Sequence, residues 1–237
     1  MRARHCLGGI RNYAMSIAEN LVNVRERIAE AASRAGTDPA GIALVAVTKT
    51  VDVPAIREAI QAGVTDIGEN YVQDVVRKFE VVGRAVRWHM IGHLQTNKVR
   101  HAVPIFDLIQ SVDGIPLAKE IGRRSTAIGK VSQVLVEVNI SGEAAKFGVQ
   151  PQDTAAFRDT LADVEGIELA GLMGIAPFVD DPSAIRRSFV RLRTLWDALP
   201  AEQRKWLSMG MTSDFEIAIE EGSNMVRIGT AIFGPRG

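Results

Sequence analysis

The sequence has one cysteine, no long apolar run, no surplus of either charge and no glycine-rich phosphate turn behind its first strand-like segment. With Cys6 alone, an intramolecular disulfide and a cysteine-held zinc are both excluded, and a reducing cytoplasm suits the chain best. Stretches such as Ile42 to Val47 and Val134 to Val138 are far shorter than the roughly 20 apolar residues that span a bilayer. No membrane helix is expected. Equal numbers of Lys+Arg and Asp+Glu, 28 of each, argue against affinity built on neutralising phosphates along a nucleic acid. Pro-rich linkers, low-complexity tracts and fixed-period repeats are also missing, so the 237 residues read as one domain.

The first fourteen residues carry Arg2, Arg4 and Arg11 without an acid, and lack the apolar core of a secretory signal. They are expected to be a flexible tail (1–15), with the folded domain at 16–237 and Met15 a natural alternative start. From Ser16 the pattern changes. Ser16 and Glu19 have capping-box spacing, Ile17, Leu21, Val24, Ile28 and Ala31 follow at helical intervals, and Gly36 supplies a stop.

Beyond Ile42, short β-branched runs alternate with amphipathic stretches, as in parallel strands joined by crossover helices. Strands are expected near Ile42, Asp66, Trp88, Leu108, Ser132, Ile167, Trp206 and Asn224. Eight such units predict an α/β protein of the closed (β/α)8 TIM-barrel type, with an open doubly wound sheet as the alternative. The chain is too short after Gly229 for a full eighth helix. The extra N-terminal helix would fill that place in the outer ring.

Active sites of such barrels lie at the C-terminal ends of the strands. Lys49 ends the first strand, where its amine either snorkels to solvent or, desolvated, acts as a nucleophile toward a carbonyl. The seventh strand runs from Ser208 toward Thr212, and Ser213 with Glu216 is spaced as a second capping box. The eighth gives Arg227, Gly229 and Thr230 before a short apolar segment. That segment is either a phosphate-binding helical turn or a plain C-terminal turn. Arg227 is either a ligand partner or one half of an ion pair with Glu69 or Glu137. His89 and His93 straddle a strand and its loop, which is unfavourable for a metal; His89 is expected to be a core or pocket hydrogen-bonding residue, and Asn97-Lys98 the start of a capped, solvated helix.

Seven segments in order carry a resemblance: VAVTKT (45–50), GENYVQ (68–73), WHMIGHLQTNK (88–98), VNISGEAAKFG (138–148), GLMGI (171–175), LSMGMTSDFEIAI (207–219) and VRIGTAIFG (226–234). Together they make the chain similar to the pyridoxal phosphate homeostasis proteins, also called proline synthase co-transcribed proteins, from Ser16 to Gly234. The resemblance implies a barrel like that of alanine racemase, with pyridoxal 5'-phosphate (PLP) as an internal aldimine on Lys49. It implies Arg227 at the pyridine nitrogen, Gly229 and Thr230 at the phosphate with a hydroxyl from the loop after the seventh strand, and Ser208 among the cofactor-binding residues. Thr212 stands where serine is expected. Asn70 and His89 would line the pocket. The tail has no counterpart in the family pattern.

Arginine opposite the ring nitrogen weakens the cofactor as an electron sink, and Tyr13 and Tyr71 are the only tyrosines. The racemases complete their site with a second domain, for which the barrel leaves no residues. The expectation is therefore a monomeric, cytoplasmic, non-catalytic PLP carrier that hands the cofactor to apo-enzymes, without metal, nucleic acid or membrane. A low-efficiency racemase-like enzyme and a class I aldolase stand as alternatives.

Overall fold

The computed structural model describes residues 15–143 and 146–235. The expected tail, apart from Met15, lies outside the described residues. Helix α1 (Ile17–Ala35) starts where the spacing predicts: Ser16 accepts from the Glu19 amide while the Glu19 carboxylate accepts from the Ser16 amide. Gly36 stops it at φ 66°, a left-handed conformation that costs a side-chain-bearing residue about 1 kcal/mol or more.

Eight strands follow, β1 (Ala43–Val47), β2 (Asp66–Glu69), β3 (Arg87–Met90), β4 (Leu108–Val112), β5 (Ser132–Val138), β6 (Ile167–Gly174), β7 (Trp206–Ser208) and β8 (Met225–Ile228). All pair in parallel with their sequence neighbours, and β1 also pairs with β8, which closes the barrel and rules out the open sheet. Between them run α2 (Val53–Gln61), α3 (Val72–Val82), α4 (Val99–Ala102), α5 (Ile115–Ala127), α6 (Thr154–Ala162), α7 (Pro182–Asp197) and α8 (Phe215–Glu220). Among the described residues after β8, the single turn α9 (Thr230–Phe233) is the only element, and α1 packs against α8 and α9, filling the outer ring as expected.

Because successive strand residues face opposite ways, each strand serves two cores. Ala46, Ile67, Val134, Val136 and Ile228 meet the helices in the larger cluster. Val45, Leu108, Leu135, Ala170, Met173 and Met225 form the smaller one inside the barrel. Two local expectations fail. Asp214, not Ser213, precedes α8 and makes no side-chain cap to it; its carboxylate instead accepts from the Met211 amide at 2.6 Å. The helix after β3 shrinks to a 3-10 turn at 96–98 and four residues of α4, with no side-chain cap. Among the described residues no helix is long and apolar enough to cross a membrane.

Candidate functional site

Strand β1 gives way to a tight turn in which the Val51 amide donates to Thr48 O at 3.0 Å. Lys49 and Thr50 occupy its central positions. Thr50 has φ 65°, the sole positive value among the described non-glycine residues, at a position where a type II turn ordinarily takes glycine. Lys49 lies two residues beyond Val47 and lines with it a cavity of about 370 Å³ at the mouth of the barrel. The opposite wall is Gly229, Thr230 and Phe233.

That wall is built from the start of α9. Ile232 and Phe233 both donate back to Gly229 O, at 2.9 and 3.0 Å, and the Thr230 and Ala231 amides lie too early in the turn to have an intrahelical acceptor. A Cβ at residue 229 would stand 3.4 Å from Val47 Cβ, so glycine keeps bare backbone facing the β1 side. The Gly229 amide reaches Thr212 Oγ1 at 3.4 Å, and Asn20 of α1 donates to Ile232 O at 2.9 Å, tying the turn to the first helix.

Beneath this mouth the barrel interior holds an unbroken polar chain. Arg227, 4 % exposed, donates to Ser208 Oγ at 2.6 Å and to Gly174 O at 3.0 Å. The Ser208 hydroxyl donates to Gln110 Oε1 at 2.6 Å, Gln110 Nε2 donates to His89 Nδ1 at 2.9 Å, and His89 Nε2 donates to Asp66 Oδ1 at 2.8 Å. This donor order puts the imidazole proton on Nε2. Burial would raise the Asp66 carboxyl, but hydrogen bonds from His89, Arg87 and Thr65 outweigh it and hold the group down at about 2. Burial pushes Arg227 down to about 10, against the pull of Asp214 and Glu137, so the guanidinium stays charged at neutral pH. Burial, helped by Asp113 and opposed by Arg227, pushes Glu137 up to about 7. Glu137 lines a second cavity of about 230 Å³ with Asn139, Ser141, Lys146, Phe147 and Ile175.

Of the residues singled out in the sequence, Lys49, Gly229 and Thr230 share one cavity, and Thr212 touches it through the Gly229 amide. Arg227 and Ser208 are bonded to each other, and His89 lies two links behind them. Asn70 follows β2, its Oδ1 buried without a hydrogen-bond partner. The ion pair of Arg227 with Glu69 is not formed: Glu69 bonds Lys78 at 2.6 Å, and the hydrogen bonds of Arg227 go to neutral oxygens. Among the described residues no cluster of three His, Cys, Asp or Glu could hold a metal. Gln110, Asp66 and Lys78 escaped the sequence reading as site residues, and Glu137 entered it only as an alternative ion-pair partner of Arg227; polar side chains inside otherwise apolar strands were the available signal for Gln110 and Glu137.

The residues fit a phosphorylated aldehyde. The cavity offers an amine and, facing it, early-turn amides with a hydroxyl for an anion; the buried Arg227 and the orphaned Asn70 oxygen are not among the residues that line it. The family described as alanine racemase, N-terminal domain, matches residues 19–237. The pyridoxal phosphate homeostasis protein of Aquifex aeolicus is 41% identical over 94% of this chain and 99% of its own. That of Pseudomonas aeruginosa is 41% identical over 93% and 96%. The structure of PipY from Synechococcus elongatus PCC7942 with PLP bound has a TM-score of 0.80 at 33% identity, covering 92% of this chain and all of PipY. The chain thus belongs to the pyridoxal phosphate homeostasis protein family, within the wider family of alanine racemase N-terminal domains.

Proposed function

We propose that this protein binds PLP in the 370 Å³ cavity, covalently on Lys49, and works in intracellular PLP homeostasis by carrying the cofactor to apo-enzymes. The observation that carries this reading is the single cavity that joins the Lys49 turn to the Gly229–Thr230 turn, in a family where PipY has been solved with PLP bound. Bound PLP supplies a reactive aldehyde and a ring that can accept electrons.

The chain's own residues divide the work. Lys49 would hold the aldehyde carbon, and the Thr230 and Ala231 amides with the hydroxyls of Thr230 and Thr212 would hold the phosphate; Asn70, which does not line the cavity here, is assigned to the pocket by the family resemblance alone. Arg227 donates to the ring nitrogen; as a permanent cation it gives that nitrogen no proton, which favours storage over carbanion chemistry. Ser208 and His89 act behind Arg227. Tyr71, 60 % exposed, lies outside the cavity wall. A monomer in the cytoplasm, offering an open mouth to its recipients, completes the proposal.

A second reading is a weak racemase-like enzyme, which needs a proton-exchanging group at the Lys49 cavity; Glu137, pushed up to about 7, lines the other cavity. The test begins with the absorbance spectrum of the purified protein, then borohydride reduction and peptide mapping. A yellow band and a pyridoxyl adduct on Lys49, both absent in Lys49→Ala, are expected. A colourless protein that takes no label from excess PLP overturns both readings and points to aldolase-type chemistry. Lys49-dependent exchange of amino-acid α-protons with solvent would select the enzyme over the carrier.

A further inference from the structure

The GENYVQ segment supplies one half of a charged pair that the cofactor reading leaves unused. Glu69 ends β2 and Lys78 lies on α3; the two meet between barrel and helix layer at 2.6 Å, with side chains 0% and 11% exposed. Both converge on Thr48, the residue before Lys49. Lys78 Nζ donates to Thr48 O at 2.7 Å, and the Thr48 hydroxyl donates to Glu69 Oε1 at 2.7 Å. Thr48 O is the acceptor that closes the turn through Val51, and Thr48 N is pinned to Gly68 O at 3.0 Å. Every polar atom of Thr48 is therefore engaged. The turn it anchors carries the left-handed Thr50, a conformation that persists only where its surroundings over-determine it.

We propose that Glu69 and Lys78 are positioning residues for Lys49, a buried clamp on the Thr48 carbonyl and hydroxyl that holds the strained turn so that Lys49 Nζ is presented to the cavity. The inference deepens the proposed function and rests on Lys49 being the residue that takes the aldehyde. In that step Nζ attacks the aldehyde carbon, a C=N bond replaces C=O, and both amine hydrogens leave with the carbonyl oxygen as water. A misplacement of about 1 Å at a reacting atom can slow such a step by about a hundredfold.

The clamp is tested in the full-length chain with Lys78→Met and Lys78→Arg. Adduct formation at Lys49 is followed with PLP, borohydride trapping and peptide mapping across neutral and alkaline pH. Without PLP, the pH dependence of Lys49 methylation by formaldehyde and cyanoborohydride is mapped on the same proteins. Lys78→Met is expected to slow PLP adduct formation at Lys49 about tenfold and to displace its methylation profile, leaving other lysines unchanged and melting cooperative. Lys78→Arg, which can still donate to both partners, is expected to restore most of the rate. Should Lys78→Met fail to fold, the double variant Glu69→Gln with Lys78→Met, which buries no unpaired charge, replaces it with the same expectation. A folded variant whose Lys49 profiles overlay those of the wild type overturns the clamp. A wild type that takes no adduct on Lys49 overturns the cofactor reading instead, and the methylation profiles still decide the clamp.

Discussion

Gln110 sits at the middle of the chain from Arg227 to Asp66, giving a hydrogen bond through its nitrogen and receiving one through its oxygen. Gln110→Leu would leave His89 Nδ1 without a donor and the Ser208 O–H without an acceptor, although the Ser208 oxygen keeps Arg227. Each buried orphan costs about 1–3 kcal/mol, so urea unfolding should show a loss of at least about 2 kcal/mol; an unchanged midpoint would mean that water replaces the amide. Two carboxyls give opposite pH signatures. Glu137 titrates at about 7 in the fold against 4.5 unfolded, so its contribution is intact below the unfolded value and stability falls as pH rises from 4.5 toward 7. Glu137→Gln should flatten that slope in urea titrations across the range. Asp66 titrates at about 2 against 3.8, so its contribution is present above 3.8 and is lost as acid takes the pH toward 2. Lys49, Arg227 and Gly229-Thr230 were legible because a charge or a glycine at the end of an apolar strand is conspicuous. Gln110 was not, because its inward aim depends on strand register, which shifts between Ile109 and Val112.

Helix α1 was readable at both ends because its caps are short-range chemistry: a serine, a glutamate three residues on and a glycine at the stop. Ser16→Ala should remove about 1 kcal/mol, read as a lower urea midpoint, and Ser16→Asp should keep most of it. Strand starts were equally plain, since strands buried on both faces appear as near-continuous apolar runs. The start of α8 was misread for a tertiary reason. Met211 O accepts from both the Asp214 and Phe215 amides while the Asp214 carboxylate takes the Met211 amide, a closed loop that leaves Ser213 outside. The Glu69–Lys78 pair was out of reach as well, because nothing local says that a glutamate ending a strand and a lysine on the next helix will meet on one threonine, the glutamate at its hydroxyl and the lysine at its carbonyl.

At the scale of the whole molecule, a ligand that binds only the folded barrel adds stability by mass action, about 2.7 kcal/mol at a hundredfold excess over Kd. For a domain of this size that raises Tm by roughly 5–11 °C, at about 2–4 °C per kcal/mol. Thermal melts with and without PLP should show the rise in the wild type and a much smaller one in Lys49→Ala; equal rises would place the dominant binding energy away from Lys49. Barrel closure also sets a timetable. The wall carrying Lys49 comes from the first strand and the wall carrying Gly229 and Thr230 from the last, and these strands are hydrogen-bonded neighbours only in the finished ring. During synthesis the lysine leaves the ribosome long before its opposite wall exists. A nascent chain therefore has no two-walled cavity until its eighth strand has emerged and paired with the first.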